Sequence, residues 1–129
     1  MLDILERDDL AARAADLGTQ LHRELSEGVT AVGLQGVVGD IRGRGLTIGI
    51  DVIDDGDLAH KAPHRARKAV YRAWQLGAVV FYVGGNVLEV TPPLTLSERE
   101  ARDGAAILLQ AIAEANLVSD EEIAPFAGW

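Results

Sequence analysis

The sequence predicts an α+β domain, a mostly antiparallel sheet of three or four strands with helices packed on one face. Three observations carry this expectation. The elements run helix, strand, strand, helix, strand, strand, helix. Within each strand pair a short glycine-bearing turn, Gly43-Arg44-Gly45 or Gly84-Gly85-Asn86, joins the two runs as in a hairpin. Leu46, Ile48, Ile50 and Val52 alternate with Thr47, Gly49 and Asp51, so one strand face is apolar and the other is not. The 129 residues suit a single domain, which at that size buries about two-thirds of its unfolded surface.

Each element has a local cause. Residues Met1 to Arg7 read as the end of a helix, with Leu2, Ile4 and Leu5 apolar and nothing capping them. That abrupt opening predicts a piece of a longer polypeptide. Asp8 or Asp9 caps a second helix whose stripe is Leu10, Ala14, Leu17, Leu21 and Leu25, a helical spacing. Gly28 is its predicted stop. Thr30 to Val38 is a glycine-punctuated connection. Val37, Val38 and Ile41 open the first strand, and Leu46 to Val52 form the second. Asp54-Asp55-Gly56-Asp57 is predicted to end that hairpin as an acidic loop.

Pro63 suits the first turn of a helix reaching about Leu76 and stopping at Gly77. Ala78 to Val83 is a short apolar strand. Asn86 to Val90 is the next, ended by Pro92-Pro93, which cannot donate to a ladder. Ser97 with Glu100 makes a capping box for a helix over about Glu98 to Asn116. The domain is placed at residues 1–118. Ser119 to Trp129 is expected as an acidic tail without periodicity, its Phe126 and Trp129 docking on a neighbouring surface.

Composition excludes several classes of function. The net charge of −8 argues against nucleic acid or an anionic membrane as partner. The absence of cysteine removes disulfides, thiolate ligands and thiol nucleophiles. No apolar run approaches the roughly 20 residues of a membrane span. The acidic N-terminus has no signal-peptide pattern, so a cytoplasmic setting is expected.

The chemistry-bearing residues are few. Gly43-Arg44-Gly45 opens an alternating strand rather than a helix, so it reads as a turn and not as a phosphate loop; Arg42 and Arg44 remain open to an anion. His22, His60 and His64 lack a third ligand, and no metal site is predicted. Asp51, Asp54, Asp55 and Asp57 do not follow calcium-loop spacing. Lys61, Arg65, Arg67, Lys68 and Arg72 form a basic island, either a solvated helix face or a docking surface for an acidic partner or a large domain. Glu89 faces away from Leu88 and Val90. It is either a plain solvent-facing carboxylate or a site residue held by a stiff strand. No Ser/His/Asp or Cys/His set can be assembled, and no catalytic residue is assigned.

Three stretches together resemble the C-terminal part of class III pyridoxal-phosphate-dependent aminotransferases. They are Asp40-Ile-Arg-Gly-Arg-Gly-Leu-Thr-Ile-Gly-Ile-Asp51, Leu76-Gly-Ala-Val-Val80 and Asn86-Val-Leu-Glu-Val-Thr-Pro-Pro-Leu-Thr-Leu96. The helix segment Leu10 to Gly18 is similar as well. The resemblance implies the small domain of a fold type I pyridoxal-phosphate-dependent transferase. Such an enzyme exchanges an amino group between an amine or amino acid and a keto acid. It implies three partners: a large domain, a second copy in a homodimer, and the small-molecule substrates. It also implies a pyridoxal phosphate bound to a lysine of the large domain, upstream of Met1. Lys61 and Lys68, the two lysines present, match no such position. The chain alone is therefore expected to be inactive and to hold no cofactor.

One departure stands out. Many members carry an arginine three residues before the first proline of Pro-Pro-Leu, clamping the substrate's α-carboxylate. Here that position is Glu89, and two ionised carboxylates repel. The substrate then lacks an α-carboxylate there, another arginine supplies the contact, or Glu89 receives a cationic or hydroxylated end. The competing class of answer is a stand-alone α+β binding or dimerisation module.

Overall fold

A computed structural model describes residues 2–126. The helices are α1 (Leu2–Arg7), α2 (Leu10–Ala31), α3 (Pro63–Gln75), α4 (Glu98–Ala113) and α5 (Asp120–Ile123). The strands are β1 (Val38–Arg44), β2 (Thr47–Asp54), β3 (Asp57–Lys61), β4 (Phe81–Val83) and β5 (Val87–Val90). The sheet is antiparallel throughout. Its order is β1-β2-β5-β4, with β3 also pairing β2. The two expected hairpins, β1–β2 and β4–β5, thus share one sheet through the β2–β5 ladder.

One face of the sheet is covered. Ile48, Ile50 and Val52 of β2 and Leu88 and Val90 of β5 are buried beneath α2 and α3. The helix α4 packs across those two and buries Ala101, Ala105, Leu108, Leu109, Ala111 and Ile112. Small residues let the layers approach: Ala66, Ala69 and Ala73 on α3 are wholly buried. On α2, a β-carbon added at Gly18 would sit 2.0 Å from the backbone oxygen of Gly45. The β1–β2 turn therefore rests directly on that helix. His22 reinforces the contact, its Nε2 lying 2.9 Å from the Ile41 carbonyl.

Four local expectations are revised. The helix α2 does not stop at Gly28 but runs to Ala31, and the left-handed residue that follows it is Gly33, at φ 74°. A β-carbon at Gly28 would lie 2.2 Å from Leu109 Cδ1, so this glycine serves helix packing rather than termination. The acidic stretch Asp54–Asp57 is not a terminal loop. Asp55 and Gly56, both at positive φ, form a two-residue hairpin turn into β3, a fifth strand beyond the four expected. The strand expected over residues 78–83 is confined to Phe81–Val83. The tail is not featureless: Ser119 and Glu122 form a capping box for α5, and Ile123 is buried. Trp129 lies outside the described residues.

Candidate functional site

The uncovered face of the sheet is set by strand register. A single cross-strand row runs Arg42 (β1), Gly49 (β2), Glu89 (β5), Phe81 (β4). Residues opposite one another in antiparallel strands project to the same side, so all four belong to the open face. Adjacent to this row, Asp40 and Asp51 form a pair on β1 and β2.

The charges on this face are unequally satisfied. Arg42 donates to Asp51 from both terminal nitrogens and to Asp40 at 3.0 Å. Hydrogen bonds to Asp51 and then to Asp40 raise its pKa, so the guanidinium stays charged and is neutralised locally. Arg42, which the sequence left open to an external anion, is therefore committed to two aspartates. Glu89 is half-buried, and its carboxylate makes no hydrogen bond or ion pair with a described residue. Gly49 puts no side chain between Arg42 and Glu89, and strands two apart lie about 10 Å from each other. Val87 leans over that position, since a β-carbon at Gly49 would lie 3.0 Å from its Cγ1, and beyond it stands Glu89, an unpartnered carboxylate.

The platform beneath Glu89 is rigid. Asn86, only 2% exposed, donates its amide to the Val52 carbonyl at 3.0 Å and fixes the entry to β5. After β5 the chain passes Pro92-Pro93, and Arg13 of α2 grips the exit. Its guanidinium donates to the carbonyls of Leu94 at 2.9 Å and Leu96 at 2.6 Å. Sequence reasoning missed Arg13, because nothing local couples it to a segment so far along the chain. The Ser97–Glu100 capping box then starts α4, as expected. A cleft of about 470 Å³ opens beside this exit, walled by Glu89, Val79, Phe81, Thr91, Pro92 and Leu96.

The other candidates disperse. His22 contacts a backbone carbonyl, His60 lies 3.9 Å from Asp57, and His64 lies 2.9 Å from Asp120. Among the described residues, no three histidine or acidic side chains are grouped as a metal set. The basic island is mostly paired: Arg65 with Asp54, Lys68 with Asp120, Arg72 with Glu114.

The profile of class III aminotransferases matches residues 1–112. The chain belongs to the class III aminotransferase family. It is 36% identical, over its full length, to a leucine/methionine racemase of Thermococcus litoralis, covering 29% of that protein. It is 33% identical over 89% of its length to the 4-aminobutyrate aminotransferase of Escherichia coli, covering 27% of that enzyme. A solved Bacillus anthracis aminotransferase superposes with a TM-score of 0.78 at 28% identity, over 88% of this chain and 26% of that one. The chain thus spans less than a third of the length of these relatives. No described helix is long and apolar enough to cross a membrane.

Membership in this family implies pyridoxal phosphate in the full-length enzyme. The residues present do not by themselves make a site for it. Lys61 lies on exposed β3, and Lys68, on α3, is held by Asp120 at 2.8 Å. Neither belongs to the open-face row or to the cleft beside Glu89.

Proposed function

We propose that this chain is the small C-terminal domain of a longer pyridoxal-phosphate-dependent enzyme, with residues 1–118 as the domain and 119–129 as its tail. That enzyme moves an amino group between an amine or amino acid and a keto acid. The open sheet face forms one wall over a reaction centre built by a large domain and completed in a homodimer. The chain alone is inactive.

The observation that carries this reading is Glu89, half-buried on the open face without a partner, at the position that is arginine in many family members. A carboxylate there receives a protonated amine or a hydroxyl at one end of the substrate, and it repels a carboxylate. Because Arg42 is neutralised by Asp40 and Asp51, it does not replace the missing clamp. The rigid strand and the Arg13-gripped exit keep the carboxylate's position fixed, which is what discrimination between substrate ends requires.

The test is the kinetics of the full-length protein. Glu89→Ala lowers kcat/KM for substrates with a cationic or hydroxylated end by about tenfold to a hundredfold, the worth of a charged hydrogen bond. Substrates lacking such an end are unaffected. Unchanged values for every substrate overturn the assignment.

A second reading is racemisation of an amino acid, favoured by the 36% identity to a leucine/methionine racemase. Chiral chromatography separates the two. Interconversion of enantiomers with no keto acid present supports racemisation, and product formation only with a keto acid supports transfer.

A further inference from the structure

On the helix-covered side of the sheet, at its β4 edge, lies a groove of about 280 Å³. Its walls are Val70, Tyr71 and Trp74 of α3, Tyr82 of β4, and Ile123 and Phe126 of the tail, with Arg67 among them. The aromatic rings are mutually placed: Tyr71 lies 5.7 Å from Trp74 and 5.5 Å from Phe126, centroid to centroid. Ile123 is 3% exposed, so the tail forms a seated third wall.

Arg67 is the anomaly. Of the four arginine and lysine residues on α3, Arg65, Lys68 and Arg72 each hold an acidic partner. Arg67 has none among the described residues, and its Nε is buried without an acceptor. Arg67 as a whole is only half-buried, but a buried N–H donor left without an acceptor carries the full desolvation penalty of that group. The chain carries 20 acidic residues against 12 basic ones, so potential partners are not scarce.

We infer that this groove binds a small monocarboxylate with an apolar body, an aromatic or branched aliphatic acid. The carboxylate accepts hydrogen bonds from the Arg67 guanidinium, and the body lies against Tyr71, Trp74 and Phe126. Charge complementarity selects this class. A neutral apolar molecule leaves Nε unpaired, and a doubly charged phosphate sets excess charge against walls that hold one cation. The volume lies just below the usual range of ligand sites, and three walls border it, which suits a compact molecule better than a large one. The groove shares Val79 and Phe81 with the cleft beside Glu89, but the inference does not rest on the enzyme reading, because Arg67 and the aromatic walls Tyr71, Trp74 and Phe126 have no part in it.

Amide-resolved NMR titration of the 129-residue chain with phenylpropionate, against phenylpropionamide as the uncharged probe, tests it. The acid is expected to bind with a Kd of about 1 mM or tighter, at least about tenfold better than the amide. Its shifts should centre on Tyr71, Trp74, Ile123 and Phe126. Arg67→Gln should abolish the preference for the acid, and Arg67→Lys should keep it, both variants retaining the wild-type far-ultraviolet spectrum. Equal binding of acid and amide, shifts centred elsewhere, or an unaltered preference in Arg67→Gln overturns the proposal. So does the absence of binding together with self-association that Arg67→Gln removes, which would give the groove to a polypeptide instead.

Discussion

A methyl group added at two helical glycines meets very different surroundings. At Gly18 it would lie 2.0 Å from the Gly45 oxygen, a backbone atom of a turn held at φ 56°. At Gly104, within α4, nothing lies within 4 Å. Gly18→Ala therefore separates α2 from the β1–β2 turn and destabilises the chain by about 2 kcal/mol or more. Gly104→Ala removes unfolded-state freedom from a helix interior and stabilises by about 0.5–1 kcal/mol. Urea denaturation should show the two midpoints moving in opposite directions. A Gly18→Ala midpoint at or above wild type would mean that the helix and turn are not in contact. The orientation of Glu89 was legible in the sequence, since alternation with Leu88 and Val90 fixes which way it points. Its lack of a partner was not, because that depends on the residues that register places beside it, Gly49 and Phe81. For the same reason Gly18 carried no signal: the atom it must admit belongs to a turn distant in the chain.

Whole elements were legible where the local signal and the packing agree. The β2 alternation, Pro63 at the start of α3 and the Ser97 capping box each found the element they predicted. Gly28 failed as a stop because Leu109 needs the space its missing side chain leaves, and α2 runs on through it. The fifth strand and α5 had local signals in plain sight. Asp55-Gly56 is a favoured two-residue hairpin turn, and Ser119 with Glu122 three places on is a capping box. The tail's attachment also carries a pH dependence. Asp120 lies 2.8 Å from Lys68 and 2.9 Å from His64, and the hydrogen bond from Lys68, then that from His64, holds its carboxyl below the usual range. Glu122 is lowered too, by its own capping bonds with Ser119. A carboxylate with a lowered folded pKa contributes its full stability above the unfolded value of about 4, and that contribution is lost as pH falls through the folded value. Between about pH 5 and pH 3, hydrogen-exchange protection at Ile123, corrected for intrinsic rate, should fall ahead of that at Ile50. Protection lost at both sites in step would show that these contacts do not govern the tail.

For the molecule as a whole, the sheet divides the labour. One face is spent on the core, where α2 and α3 bury the β2 and β5 side chains and α4 packs across those two helices. The other carries a rigidly supported carboxylate, Glu89, without a side-chain partner among the described residues, beside Gly49, over which Val87 leans. The proposed function makes this face one wall of a site completed by other parts of a longer protein, and the relatives are more than three times as long. Family membership was legible from motif order alone, because the turns and the Pro-Pro exit impose residue types at fixed spacing. The chemistry was not, since neither lysine of this chain is placed to hold a cofactor. The most direct measurement is an absorbance titration of the isolated 129-residue chain with pyridoxal phosphate, followed by borohydride reduction and mass spectrometry. No saturable one-to-one band is expected, and only scattered, substoichiometric labelling of Lys61 and Lys68. A stoichiometric band at a single lysine, accompanied by turnover of an amino acid, would contradict it.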